Sequence, residues 1–166
     1  FRIKTKLEDL AFPYVYPEEY KWVMNDLADR LKSEEKYIEK LRKITQKMLV
    51  KNNVEYLQMK SRIKSIYSIY KKLLRKGKDI NKLYDLIALR IIVDDIADCY
   101  SVLGIIHKRW APLKGRVKDF IAQPKPNGYQ SLHTSVFTDF GKVAEIQIRT
   151  RQMDEEAEFG VAAHSR

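Results

Sequence analysis

The chain has 166 residues, a single cysteine and a formal net charge of +10, with 20 Lys/Arg against 11 Asp/Glu in residues 1–80 and 12 against 11 in residues 81–166. That length supports one domain with a real core, one thiol excludes an internal disulfide, and the lack of a Cys/His cluster argues against zinc. No apolar run reaches the roughly 20 residues that cross a bilayer, and the opening Phe-Arg-Ile-Lys-Thr-Lys lacks the apolar stretch of a signal peptide, so a cytoplasmic protein with no membrane partner is expected.

Trp22, Val23, Leu27, Leu31, Tyr37, Ile38, Leu41, Ile44 and Met48 recur at spacings of about three and four, which predicts a helix over residues 18–51 with a charged, solvated face. A short extended stretch is expected over 54–59. Ile63, Ile66, Tyr67, Tyr70, Leu73 and Leu74 then trace one apolar stripe of a second helix, which Gly77 would stop. Residues 86–93 are short, apolar and β-branched, and read as a buried strand ending at an Asp94-Asp95 turn; 97–110 return to helical spacing, closed by Pro112 and Gly115. Three strands follow, around 119–122, 131–138 and 143–149, the last two joined by Asp139-Phe140-Gly141. Residues 153–163 look like a final helix. Helices mixed with strands, some of them hairpin-linked, predict an α+β domain whose mixed sheet is flanked by helices.

Residues 60–78 contain eight basic residues and no acid, a density that suits nucleic acid, a membrane surface or a phosphorylated small molecule. The run Ser61-Arg62-Ile63-Lys64 is expected where a strand passes into a helix. Free backbone N–H groups at such a start, with cations beside them, favour an anion, so Arg62 and Lys64 are candidate phosphate ligands. Lys76 and Lys78 fit a merely solubilising face. Transfer of a phosphoryl-type group needs a divalent cation on hard oxygen donors, and two carboxylates are placed for it. Asp85 precedes the buried strand, and Glu145 lies in a strand whose alternation sends Ala144, Ile146 and Ile148 to the core. Glu145, Gln147 and Arg149 therefore share the other face, with Arg149 the simplest ion-pair partner for Glu145.

Lys-Pro-Asn-Gly-Tyr-Gln-Ser-Leu-His-Thr (residues 125–134) packs turn formers, amide groups and an aromatic face into one loop. It reads either as a polar turn or as a ligand loop on whose Tyr129 a nucleobase stacks. Upstream, Arg116 and Lys118 share one face of an incipient strand and suit phosphate. His107 is expected to be structural, His133 to be within reach of a ligand, and Cys99 to be core.

Taken together, Arg-x-Lys-x-x-x-Ser-Ile-x-x-Lys (62–72), Tyr-Asp-Leu-Ile-Ala-Leu-Arg (84–90), Arg-x-Lys-Asp (116–119), the 125–134 loop, Glu-Ile-Gln-Ile-Arg-Thr (145–150) and Ala-Glu-x-Gly-x-Ala-Ala-His (157–164) resemble the synthetase domain of the long Rel/SpoT-type alarmone synthetase/hydrolases. The opening Leu-Glu-Asp-Leu-Ala-Phe with Pro-Glu-Glu-Tyr is similar to the segment that joins hydrolase and synthetase domains in such proteins. The resemblance implies that residues 1–53 are a helical linker and 54–166 the catalytic domain, in a piece of a longer chain. It implies a nucleotidyltransferase-like fold and a Mg²⁺-dependent transfer of pyrophosphate from ATP to the 3′-hydroxyl of GDP or GTP, releasing AMP.

By motif position, Asp85 and Glu145 would hold magnesium, with Glu145 also the base for the 3′-hydroxyl. Tyr129 would stack on guanine, Asn127 and His133 would lie close to the acceptor nucleotide, and Lys125 near its phosphates. Arg62 would pack on the adenine, while Lys64, Ser68 and Lys72 would surround the donor phosphates. Arg116 and Lys118 belong to a motif similar to that of the bifunctional members. Ser61 departs from the family's usual glycine. The hydrolase half's His/Asp metal constellation has no counterpart here, so no alarmone degradation is expected, and ribosome contact is expected only through regions absent from this chain. Rival readings are a nucleotidyltransferase that would release pyrophosphate, and a non-catalytic RNA-binding module using the basic 60–78 face.

Overall fold

The computed structural model describes residues 2–75, 77, 87–139 and 141–159. Two helices open the chain, α1 (Arg2–Val15) and α2 (Pro17–Lys51), separated at Tyr16. The second is the helix its periodicity predicts: Pro17 occupies its first turn, where a missing N–H costs nothing, and Asn52 with Asn53 at φ 57° ends it. Helix α1 has no comparable signal in the sequence, since Pro13 interrupts it and Leu7, Leu10 and Tyr14 face solvent. Its anchor is tertiary. Phe12 is 1% exposed, with ring centroids of Tyr20, Tyr67 and Tyr70 at 5.5, 5.2 and 5.1 Å.

Next come β1 (Gln58–Ile63), α3 (Ile66–Arg75), β2 (Ile87–Val93), α4 (Ile96–Arg109), β3 (Lys118–Asp119), β4 (Leu132–Phe137), β5 (Val143–Thr150) and α5 (Arg151–Phe159). The sheet order is β1-β2-β5-β4-β3, with β2 and β5 parallel and the other neighbours antiparallel. The α+β architecture with a mixed sheet is as expected. Three elements depart from their expected bounds by more than two residues. The first strand lies at 58–63 rather than 54–59, because β1 is an edge strand of alternating polar residues whose place is set by pairing, Gln58 with Ile92 through Ile63 with Ile87. Helix α3 consequently begins at Ile66, beyond the Ser61–Lys64 run. The strand expected at 119–122 shrinks to Lys118–Asp119, because the Asp119 carboxylate accepts from the N–H groups of Ile121 and Ala122 and bends the chain into a turn.

One face of the sheet is covered. Met59, Ile91, Ile148 and Leu132 stand in one cross-strand row and Leu89 beside Ile146 in the next, packed with Leu27, Leu41 and Leu49 of α2 and Val102 and Ile106 of α4. One apolar cluster thus takes residues from both 1–53 and 54–159. Asp95 caps α4 by accepting from Asp98 N–H at 2.8 Å, the turn role expected of it, while Cys99 is buried and His107 bonds Thr134 at 2.8 Å from within α4. Gly77 has φ 70°, a conformation L side chains rarely adopt. Phe140 and residues 160–163, expected to continue the final helix, lie outside the described residues, as do Lys76, Lys78 and His164.

Candidate active site

The face of the sheet opposite α2 and α4 carries the polar residues. Because side chains alternate and strands pair in register, rows of residues run across it. Arg62, Ala88, Glu145 and Ser135 form one, Lys60, Arg90, Gln147, His133 and Lys118 the next, and Gln58, Ile92 and Arg149 a third. Five strands at about 4.8 Å give a platform roughly 19 Å wide. Glu145 stands on the central strand, with the basic β1–α3 corner on one side and the 125–134 loop on the other.

Glu145 is paired not with Arg149 but with Lys64, whose Nζ lies 2.6 Å from Oε2. The expected partner fails for a geometric reason. Residues four apart on a strand share a face but are separated by about 13 Å. Lys64, just past the end of β1, folds back over the sheet instead. Burial pushes the Glu145 carboxyl up, but the Lys64 ammonium, with Gln147 donating to Oε1 at 3.3 Å, outweighs it and leaves the group below the usual carboxylate range. The carboxylate is held ionised in a mostly enclosed setting, which suits a hard cation or a proton acceptor.

The helix start differs from the expected anion site. Ser65 Oγ accepts from Ser68 N–H, while Asp9 of α1 accepts from Ser65 Oγ at 2.7 Å and Tyr67 N–H at 3.1 Å. Glu8 reaches Lys71 at 3.8 Å. The acid the helix start favours is therefore supplied by α1, and Lys64, Ser68 and Lys72 remain as the half-buried polar groups of this corner. Arg62 is exposed on β1.

In the 125–134 loop, Tyr129 N–H donates to Asn127 Oδ1 at 3.0 Å, Gly128 N–H to Lys125 O at 2.8 Å, and Gly128 has φ 87°. Asn127's acceptor thus shapes the turn. The Lys125 ammonium lies 5.3 Å from the Tyr129 ring centroid and the Arg149 guanidinium 5.4 Å. Tyr129 Oη and His133 Nε2 are 2.7 Å apart. Burial pushes His133 down to about 4, with Glu145 only partly offsetting it and Arg149, Lys125 and Arg90 adding to the fall, so the imidazole is neutral at ordinary pH. Lys118 faces the platform from the far edge beside His133, and Arg116 is exposed just before it.

The structure therefore pairs Lys64 with Glu145 and Tyr129 with His133, joins the pairs through Gln147 and Arg149, and sets Lys125 over the Tyr129 ring; Arg62 and Lys118 stand at the two edges of the polar face, Ser68 and Lys72 on α3, and Arg116 exposed before β3. Asp85 lies outside the described residues, and among those described no three His, Cys, Asp or Glu side chains gather as a metal cluster.

Sequence reasoning put Gln147 and Arg149 on this face but missed which groups they hold and which acids hold them. Arg149 is 2% exposed; its Nη2 donates to Gln147 Oε1 at 2.8 Å and Tyr129 Oη at 3.3 Å, and its Nη1 lies 3.6 Å from Asp154. Arg90 donates to Asp154 at 3.3 Å and Glu158 at 2.8 Å, and Lys60 lies 3.8 Å from Asp154. Strand alternation had already put Gln147 and Arg149 on the face of Glu145. The acids of α5 and Asp9 of α1 gave no such signal.

The profile of a region found in RelA/SpoT proteins matches residues 61–166. The chain is 48% identical over 164 residues to a guanosine-3′,5′-bis(diphosphate) 3′-pyrophosphohydrolase of Aquifex aeolicus, covering 98% of this chain and 23% of that protein. To a GTP pyrophosphokinase of Myxococcus xanthus it is 45% identical over 162 residues, covering 98% and 21%. It thus spans about a fifth of the length of the curated relatives it matches. Among solved structures, small alarmone synthetase 2 from Bacillus subtilis superposes with a TM-score of 0.64 at 35% identity, covering 80% of this chain and 77% of that one. With a matched region exceeding half its length, carrying Lys64, Glu145 and the Tyr129 loop on one face of the sheet, the chain belongs to the RelA/SpoT family.

Proposed function

We propose that this chain synthesises an alarmone, transferring pyrophosphate from ATP to the 3′-hydroxyl of GDP or GTP and releasing AMP. The observation that carries the reading is Glu145, held ionised on the central strand between the β1–α3 cations and the Tyr129–His133 pair. The names of the relatives and of the superposed synthetase support it.

In this reading the acceptor's guanine stacks on Tyr129, displacing the Lys125 ammonium from the ring toward the nucleotide's own phosphates. The 3′-hydroxyl then faces Glu145, which takes its proton as the oxygen attacks the β-phosphorus of ATP. The bond from that phosphorus to the oxygen bridging to the α-phosphate breaks, and AMP leaves. Lys64, Ser68 and Lys72 hold the donor phosphates, Arg62 packs on the adenine, and Arg116, Lys118 and Asn127 complete the rim. His133, neutral at ordinary pH, and the Tyr129 hydroxyl it meets orient the acceptor.

A mostly enclosed carboxylate beside a cluster of cations fits Mg²⁺, which takes one or two carboxylates and completes its shell with nucleotide phosphates. Glu145 and Asp85 are its proposed protein ligands, and the ion would neutralise the oxygens of the transferred group. Lys64 must then shift from Glu145 to the phosphates, an exchange of one ionic partner for another. A cytoplasmic setting accords with these substrates.

The test is incubation with Mg²⁺, GDP or GTP, and ATP labelled at its terminal phosphates. Label on the guanine nucleotide with matching AMP is expected, and Glu145→Gln should remove it while nucleotides still bind. Release of pyrophosphate instead would establish the nucleotidyl-transfer chemistry. Steeply salt-dependent RNA binding unaffected by Glu145→Gln, with no nucleotide turnover, would return the protein to a binding module.

A further inference from the structure

We propose that Arg149 is a positioning residue that ties the base-stacking tyrosine to the carboxylate, so that Tyr129 and Glu145 hold their relative placement as one unit. The inference rests on the reading that Tyr129 receives the guanine and Glu145 the acceptor hydroxyl. Its basis is an unbroken chain of polar contacts. Lys64 Nζ meets Glu145 Oε2 at 2.6 Å, Gln147 Nε2 donates to Glu145 Oε1 at 3.3 Å, and Arg149 Nη2 donates to Gln147 Oε1 at 2.8 Å. The same Nη2 donates to Tyr129 Oη at 3.3 Å, and Tyr129 Oη meets His133 Nε2 at 2.7 Å. Among the described residues, Arg149 alone belongs to both branches.

A planar guanidinium with several N–H donors in fixed directions can serve two acceptors at once, which an ammonium at the end of a flexible chain cannot do with the same geometry. Its own place is fixed by burial to 2% exposure and by Asp154 from α5 at 3.6 Å. No partner is found for its Nε among the described residues, so every bond that orients the fork comes from its two Nη groups. A side chain held at this cost of burial and pairing acts on its neighbours' geometry. Arg149 also stands over the Tyr129 ring at 5.4 Å, so it constrains the ring plane as well as its hydroxyl.

The consequence is a coupling. Arg149→Met and Tyr129→Phe each cut the link between the Tyr129 ring and the Glu145 carboxylate, the second leaving the stacking face intact. A misplacement of about 1 Å can cost roughly 10²-fold in rate, so each variant should lower kcat by up to about that factor, with a smaller weakening of GDP. Once the link is cut, cutting it again does little. The double variant should therefore be within about twofold of the worse single variant, well short of the product of the two losses.

The experiment measures kcat, KM for GDP and calorimetric GDP affinity in the parent chain and these three variants. It adds Arg149→Lys, which keeps the charge and secures a comparison if the methionine variant does not fold. The expected result is non-additive loss, larger in kcat than in KM, with lysine failing to rescue it. Independent multiplication of the two losses, or full activity in Arg149→Lys, would overturn the assignment. If the parent chain binds GDP but forms no product, the transfer reading fails, and the four GDP affinities still decide on Arg149 by the same test of additivity.

Discussion

His133 sits 2.7 Å from Tyr129 Oη, with the Phe120 ring 5.4 Å from its own, and with Glu145, Arg149, Lys125 and Arg90 as the charges that act on it. Burial first, then the three cations, bring it to about 4 from 6.5. Between these values the unfolded chain binds a proton that the folded chain refuses. His133 therefore contributes fully to stability above its unfolded pKa, loses that contribution as pH falls toward its folded pKa, and changes nothing further below it. Each tenfold difference in proton affinity between the two states is about 1.4 kcal/mol, so the whole window amounts to about 3 kcal/mol, of which about 2 kcal/mol falls between about pH 7.5 and about pH 5. Urea unfolding followed by tryptophan fluorescence reports this directly, since Trp110 is 2% exposed in the native core. Measured at both pH values in the parent chain and in His133→Gln, the difference cancels the carboxylates and the other histidines. The parent should lose about 2 kcal/mol more than the variant on acidification. Equal losses would refute the reasoning, and with it the claim that the imidazole in the site is neutral.

Lys64→Met leaves the Glu145 carboxyl with its burial but without the ammonium at 2.6 Å, so the acid limb of the rate profile should move to higher pH; an unmoved limb would show that Glu145 is not the group being titrated. Tyr129→Ala should weaken GDP by about 1–3 kcal/mol in a calorimetric titration and leave ATP nearly unaffected, the reverse pattern meaning that the two nucleotide sites are exchanged. Phe12→Ala should lower stability by about 3–5 kcal/mol in the same urea assay, because the ring is enclosed by three tyrosines; a change below about 1 kcal/mol would mean α1 is not docked as described.

How much of this was legible in the sequence follows from the range over which each signal acts. Helix α2 writes its buried face in its own periodicity, and β2 and β5 write theirs in short apolar or alternating runs, so those elements are read within a few residues of their bounds. Edge strand β1 reads Gln-Met-Lys-Ser-Arg-Ile, where Ser61 breaks the apolar alternation between Met59 and Ile63, and pairing with β2 fixes it. The stripe from Ile63 to Leu74 places the helix start too early, because a periodic pattern does not announce where its hydrogen bonding starts. Helix α1 is set by Phe12 and Asp9, and Asp9's partners lie more than fifty positions away. No local pattern carries such information.

The site divides along the same line. Strand alternation placed Glu145, Gln147 and Arg149 on one face, and loop chemistry brought Tyr129 forward. It could not say which cation meets Glu145, because side chains four apart on a strand share a face without touching. The structure answers with Lys64 for Glu145 and with Asp154 and Glu158 for the arginines. Arg90 and Arg149, at 8% and 2% exposure, would each be a costly buried charge without those acids. Helix α5, read from sequence only as a closing helix, is therefore what allows two cations to lie buried on the polar face of the sheet. Because those cations help to keep His133 neutral and one of them bonds Tyr129, the electrostatics around Tyr129 and His133 depend on a helix that contributes none of the candidate ligands.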